Sequence, residues 1–136
     1  MEVYLHAVWA TWRREPYIVP EIERPIYRCI ESEIESAGAR LLAIGGVEDH
    51  INILVKIPAT IAIAKLMNQV KGVSSRLVHD HYPDHELFRW QENYGVFSVG
   101  RTQVRRVQGY VQGQKQHHAE GALHARWEET DEEAEP

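Results

Sequence analysis

His50 and Asn52 stand two apart in the run Glu48-Asp49-His50-Ile51-Asn52-Ile53-Leu54-Val55. In an extended chain that spacing sends both side chains to the same side. A neutral imidazole nitrogen and an amide oxygen can both ligate a divalent ion. Further on, Tyr110 and Gln114 are four apart, which makes them neighbours on one helix face, and Arg106 lies one turn before Tyr110. A tyrosine hydroxyl is a weak nucleophile near neutral pH. A metal ion polarising a phosphate supplies what it lacks. Taken singly, each pair has a plain alternative: a solvent-facing strand for the first, a packing tyrosine for the second.

The elements that must position these residues follow from periodicity. Tyr4–Thr11 is rich in aromatic and β-branched residues and reads as a strand. Residues 12–20 carry Arg13, Arg14, Pro16 and Pro20 and read as a loop. Isoleucines at 22, 26, 30 and 34 mark a helix over Glu21–Ala37 that stops at Gly38. Pro25 places its start near residues 22–24, because proline is tolerated in a first turn. Arg40–Val47 is a second strand. In a third, Ile51–Ile57, Ile51, Ile53, Val55 and Ile57 face one way, and His50, Asn52, Leu54 and Lys56 the other.

Pro58 ends that strand, and Thr60 is placed to cap a helix from Ile61 to Asp80 with Ile63, Leu66, Met67, Val70, Val73 and Leu77 on its apolar side. Residues 81–93 read as a loop, Tyr94–Val99 as a fourth strand, and Thr102–His118 as a last helix with Val104, Val107 and Val111 on one side. The order β-α-β-β-α-β plus one helix predicts a ferredoxin-like α+β fold: an antiparallel four-stranded sheet with two helices on one face and the second face open. The first and third strands are then the central pair, which lets His6 approach His50 on that open face.

One domain accounts for the length: 136 residues, 43% hydrophobic and 26% charged, are enough for a single core and too few for two. We place the folded domain at residues 1–119 and an acidic, disordered tail at 120–136. The single cysteine, Cys29, allows no internal disulfide and points to a reducing compartment; it falls in the apolar register of the first helix, as a core residue would. With no secretory signal visible and no apolar run long enough to span a bilayer, the expected location is the cytoplasm. The net charge of −5 conceals an asymmetry: six acids crowd Arg126–Pro136, whereas Lys56–Lys115 holds nine Lys/Arg against four acids. The tail is either a solvated end or a competitor with nucleic acid for the basic half.

Four ordered blocks carry a resemblance. The His50 strand is similar to the His–hydrophobic–His strand of single-tyrosine (HUH-type) transposases of bacterial insertion sequences and their REP-associated relatives. Lys71-Gly72-Val73-Ser74-Ser75-Arg76 resembles the Lys-Gly-x-Ser-Ser run of their second helix. Trp90-Gln91-Glu92-Asn93-Tyr94-Gly95-Val96-Phe97-Ser98-Val99 resembles the segment entering their last strand, and Tyr110-Val111-Gln112-Gly113-Gln114-Lys115-Gln116-His117-His118 their nucleophile helix. The resemblance spans Tyr4 to His118.

It implies cleavage of single-stranded DNA beside short hairpins. Tyr110 is then the nucleophile that keeps the 5′ end as a phosphotyrosine ester, while a free 3′-hydroxyl leaves. No nucleotide cofactor is needed, because the ester retains the bond energy. The implied metal is Mg²⁺ or Mn²⁺, held by His50, the residue at 52 and Gln114. Here the second motif histidine is replaced by Asn52, which either serves as a substitute ligand or marks a relative that binds DNA without cutting it. The resemblance also allows a homodimer in which one subunit's tyrosine helix completes the other's site.

For DNA contacts we single out Arg13, Arg14, Lys71, Arg76, Arg89, Trp90, Arg105 and Arg106, with Lys65 and Arg101 in the same basic half and Tyr94 and Phe97 as further stacking candidates. An RNA-recognition module has the same element order, but would place aromatics on its central strands, and Ile51–Ile57 has none.

Overall fold

The computed structural model describes residues 3–114. The strands are β1 (Val3–Ala10), β2 (Arg40–Val47), β3 (His50–Ile57) and β4 (Gly95–Val99); the helices are α1 (Pro20–Ser36), α2 (Ile63–His81) and α3 (Val104–Gln112). All four strands are antiparallel in the order β2-β3-β1-β4, so β1 and β3 are the central pair as expected. The ferredoxin-like element order is therefore present. Expectations for the last helix beyond residue 114 and for the acidic tail lie outside the described residues.

One face of the sheet presents Leu5, Ala7, Trp9, Ile51, Ile53, Val55 and Ile57 to α1 and α2. The isoleucine stripe of α1 is wholly buried there, each residue at 0% exposure. That stripe also explains a difference from expectation. Pro20 takes the first helical position, and Pro25 lies inside α1 rather than at its start. An interior proline costs about 3 kcal/mol. Four buried isoleucines at roughly 1.5–3 kcal/mol each outweigh it, so the helix runs through. Gly38 ends the segment at a φ of 92°, open to glycine and strained for other residues.

Three further expectations are corrected. The second sheet face is not open: α3 lies across it, making a smaller core of Ala43, Leu54, Val107, Tyr110 and Val111. Thr60 caps nothing, because Pro58–Ile61 closes a turn of its own and α2 starts at Ile63 after Ala62. Cys29 is half-buried rather than core, and burial followed by Glu33 raises its thiol pKa, away from the reactive thiolate.

Candidate active site on the second sheet face

Two backbone features seat α3. A register shift between Leu41 and Ala43 marks a bulge in β2, and the Leu42 carbonyl there accepts a hydrogen bond from Gln108 Nε2 at 3.0 Å. Further along β2, Gly45 leaves no room for a side chain: a Cβ there would sit 1.9 Å from the Val111 carbonyl oxygen. The helix backbone therefore rests on the strand at Gly45, which is the Cα partner of Asn52. This brings the last turn of α3 over the strand pair that carries His50 and Asn52.

The polar residues beneath α3 are buried: His6 at 1%, His50 at 1%, Asn52 at 0% and Gln114 at 0% exposure. Burying such groups is costly without partners. His6 approaches Asn52, not His50, with Nε2 2.6 Å from Oδ1. That follows from register: His6 pairs with Leu54 and Val8 with Asn52, so His6 reaches Asn52 on the diagonal, while His50 stands opposite Ala10. The His6 ring also meets Tyr110 edge-on at 6.1 Å between centroids. Tyr110 itself is 4% exposed.

At the other end of the site, His50 Nδ1 lies 2.7 Å from Asp49 Oδ1 and 3.4 Å from Arg14 Nη1. Nδ1 cannot donate to one and accept from the other at once. The shorter, charge-assisted contact decides: Nδ1–H donates to Asp49, and Arg14 is held by the same carboxylate at 3.7 Å. The lone pair of His50 is then on Nε2, the tautomer a metal ligand needs. Gln114 Nε2 donates to the Tyr110 carbonyl at 3.2 Å, and its Oε1 is buried with no hydrogen-bond partner among the described residues. A buried oxygen left without a proton donor suits a cation. The donor set of one imidazole and two amide oxygens fits a hard ion such as Mg²⁺ or Mn²⁺.

The DNA-contact candidates divide. Arg13, Arg76, Arg89, Arg105 and Arg106 are exposed, as are Lys65 and Arg101, and Arg14 is half-buried beside Asp49. Lys71 and Trp90 are interior. Lys71 Nζ donates to the carbonyls of Glu92 and Asn93 at 3.0 and 3.1 Å and lies 5.7 Å over the Tyr94 ring. Ser74, three residues on, accepts the Trp90 indole N–H at 2.9 Å. Lys71 and Ser74 thus pin the 90–94 segment to α2. Phe97 is half-buried beside His6 on the second face, and Tyr94 packs against the main core.

Sequence reasoning missed Asp49, Gly45 and Gln91. Gln91 N–H donates to the Ala10 carbonyl and its Oε1 accepts from Ala10 N–H, fixing the strand end opposite His50. The acid immediately before His50 was the one readable signal for Asp49.

A tyrosine-bearing helix docked over the histidine-bearing face of an antiparallel sheet assigns the domain to an α+β class. The family comparison makes the assignment specific. Residues 1–114 match the model of the family "Transposase IS200 like", and the chain belongs to that family. It is 26% identical over 114 residues to the transposase for insertion sequence element IS200 of Salmonella typhimurium, covering 80% of this chain and 74% of that protein. Identity to the ISDra2 transposase TnpA of Deinococcus radiodurans is 21% over 114 residues, covering 80% and 81%.

Among solved structures, a Deinococcus radiodurans protein assigned as a transposase superposes with a TM-score of 0.66 at 21% identity, over 84% of this chain and 92% of that one. A REP-associated tyrosine transposase bound to a REP hairpin gives 0.65 at 10% identity, over 89% and 70%. The described residues include no helix long and apolar enough to cross a membrane.

Proposed function

We propose that this transposase-family domain, residues 1–119, cleaves and rejoins single-stranded DNA beside a hairpin through Tyr110. The observation that carries the reading is the contact chain on the second face: Tyr110 against His6 at 6.1 Å, and His6 on Asn52 at 2.6 Å. It joins the nucleophile helix to the strand of proposed metal ligands. The hairpin-bound relative supports a DNA hairpin as partner.

In this reading the Tyr110 hydroxyl attacks a backbone phosphorus. A P–O bond to tyrosine forms, the P–O3′ bond breaks, the phenolic proton is lost, and the 3′-oxygen leaves and takes up a proton. The 5′ end stays on Tyr110, and the reverse step returns it to a 3′-hydroxyl. When bound by His50, Asn52 and Gln114, Mg²⁺ or Mn²⁺ supplies Lewis-acid polarisation of the phosphate. Asp49 fixes the His50 tautomer. His6 Nε2–H donates to the Asn52 amide oxygen at 2.6 Å and so orients that amide. Arg14, Arg76, Arg105 and Arg106 serve the DNA backbone, whereas Lys71 and Trp90 act by holding the 90–94 segment.

The test is covalent trapping. Protein, Mn²⁺ and end-labelled hairpin oligonucleotides with randomised single-stranded flanks are run on a denaturing gel. A labelled protein band that Tyr110→Phe abolishes is expected; a band that survives that change refutes the nucleophile. A second reading, DNA binding without cleavage, is favoured by Asn52 alone, whose oxygen is already engaged by His6. A band that appears only in Asn52→His would select it.

A further inference from the structure

Beside the site, Trp12 gathers two arginines from distant parts of the chain. The Arg89 guanidinium carbon lies 4.0 Å from the Trp12 ring centroid and that of Arg13 lies 5.4 Å away. Both arginines are exposed and Trp12 is half-buried. The backbone fixes the arrangement: Trp12 N–H donates to the Arg89 carbonyl at 2.8 Å, and Thr11 bridges to Trp90.

The turn that carries the stack is strained. Arg13 and Arg14 have φ values of 53° and 56°, a left-handed region that costs side-chain-bearing residues roughly 1–2 kcal/mol each. The strain splits adjacent arginines between two tasks. Arg13 joins the exposed stack, and Arg14 turns to Asp49 and His50 at 3.7 and 3.4 Å. The turn therefore leads from the surface stack to the strand end that carries His50.

A guanidinium lying on an indole keeps its N–H edge for a phosphate and its outer face for a base. Two cations sharing one ring also repel each other unless an anion sits between or beside them. An unpaired nucleotide offers both a phosphate and a free base face. A paired stem offers phosphates, but its base faces are stacked within the duplex.

We propose that Trp12, Arg13 and Arg89 form a clamp for the unpaired DNA strand flanking the hairpin, just before it reaches Tyr110. The proposal rests on the single-stranded DNA reading above. Trp12 is the organising residue, and Arg13 and Arg89 make the contacts.

The experiment measures fluorescence anisotropy on the Tyr110→Phe protein, so that binding is read without any covalent step. One hairpin carries single-stranded extensions and a second is the same hairpin with blunt ends. Trp12→Leu and Arg89→Gln are expected to weaken binding of the extended hairpin about tenfold and to leave the blunt hairpin unchanged. Trp12→Phe, which keeps a π face, restores most of the loss. Arg89 is exposed, so its variant reports even if Trp12→Leu unfolds the turn. Equal losses on both DNAs would assign the arginines to stem phosphates and overturn the clamp, as would no loss on either. If the parent protein binds neither hairpin, the DNA reading falls and the clamp falls with it, an outcome distinct from the other two.

Discussion

The two faces of one sheet are built on opposite terms. Against α1 and α2 the sheet presents aliphatic side chains plus Trp9, and it is met by the isoleucine stripe of α1 and by Leu66, Met67, Val70 and Val78 of α2. Against α3 it presents His6, His50 and Asn52, all buried, with Gln114 added from the helix side. The first face gains from area removed from water. The second gives up much of that gain to desolvate polar groups, and it is held by a short apolar seam, one hydrogen bond to a bulge carbonyl and the gap at Gly45. The difference teaches that the first face carries the stability, while the second gives up stability to bury the polar residues proposed for the chemistry.

Substitutions that act on one face alone break or sharpen that contrast. The largest effect is expected from Tyr110→Phe, which lowers strand cleavage by about three orders of magnitude or more while melting temperature holds, because only the hydroxyl is lost. Ile26→Ala does the reverse: unfolding in urea should show a loss of about 2–5 kcal/mol, with cleavage per folded molecule unchanged. Next comes Gly45→Ala, whose Cβ meets the Val111 carbonyl at 1.9 Å. It is expected to displace α3 and reduce cleavage about a hundredfold, with the main core intact by near-ultraviolet circular dichroism. Asn52→His is expected to tighten Mn²⁺ binding about tenfold by isothermal titration. Smallest of all, Thr60→Ala shifts stability by less than about 0.5 kcal/mol, since Thr60 is not the cap of α2.

The fold was largely legible because its signals are local. Period-two alternation in 51–57 and the isoleucine stripe of α1 each name their own buried side. The second face was misjudged for a physical reason: alternation shows that a strand has two sides, and says nothing of what covers the polar one. Gly45 reads as one more residue in a glycine pair until α3 is laid upon it. His50, Asn52, Tyr110 and Gln114 could be singled out by spacing, yet their burial and the approach of His6 to Asn52 depend on β1–β3 register. Lys71 and Trp90 looked like DNA contacts because charge and aromaticity are visible in sequence, whereas the 92–93 carbonyls that claim Lys71 are not.

The central claim is that Tyr110 holds the DNA, and mass spectrometry of the trapped adduct tests it most directly. Cleavage after Arg106 and Lys115 releases a tryptic peptide, residues 107–115, whose one tyrosine is Tyr110. After nuclease trimming, the account predicts a nucleotide-phosphate mass on that peptide, with fragment ions placing it at Tyr110. The same mass on any other peptide, or DNA cut in the presence of Mn²⁺ with no peptide modified, would contradict it.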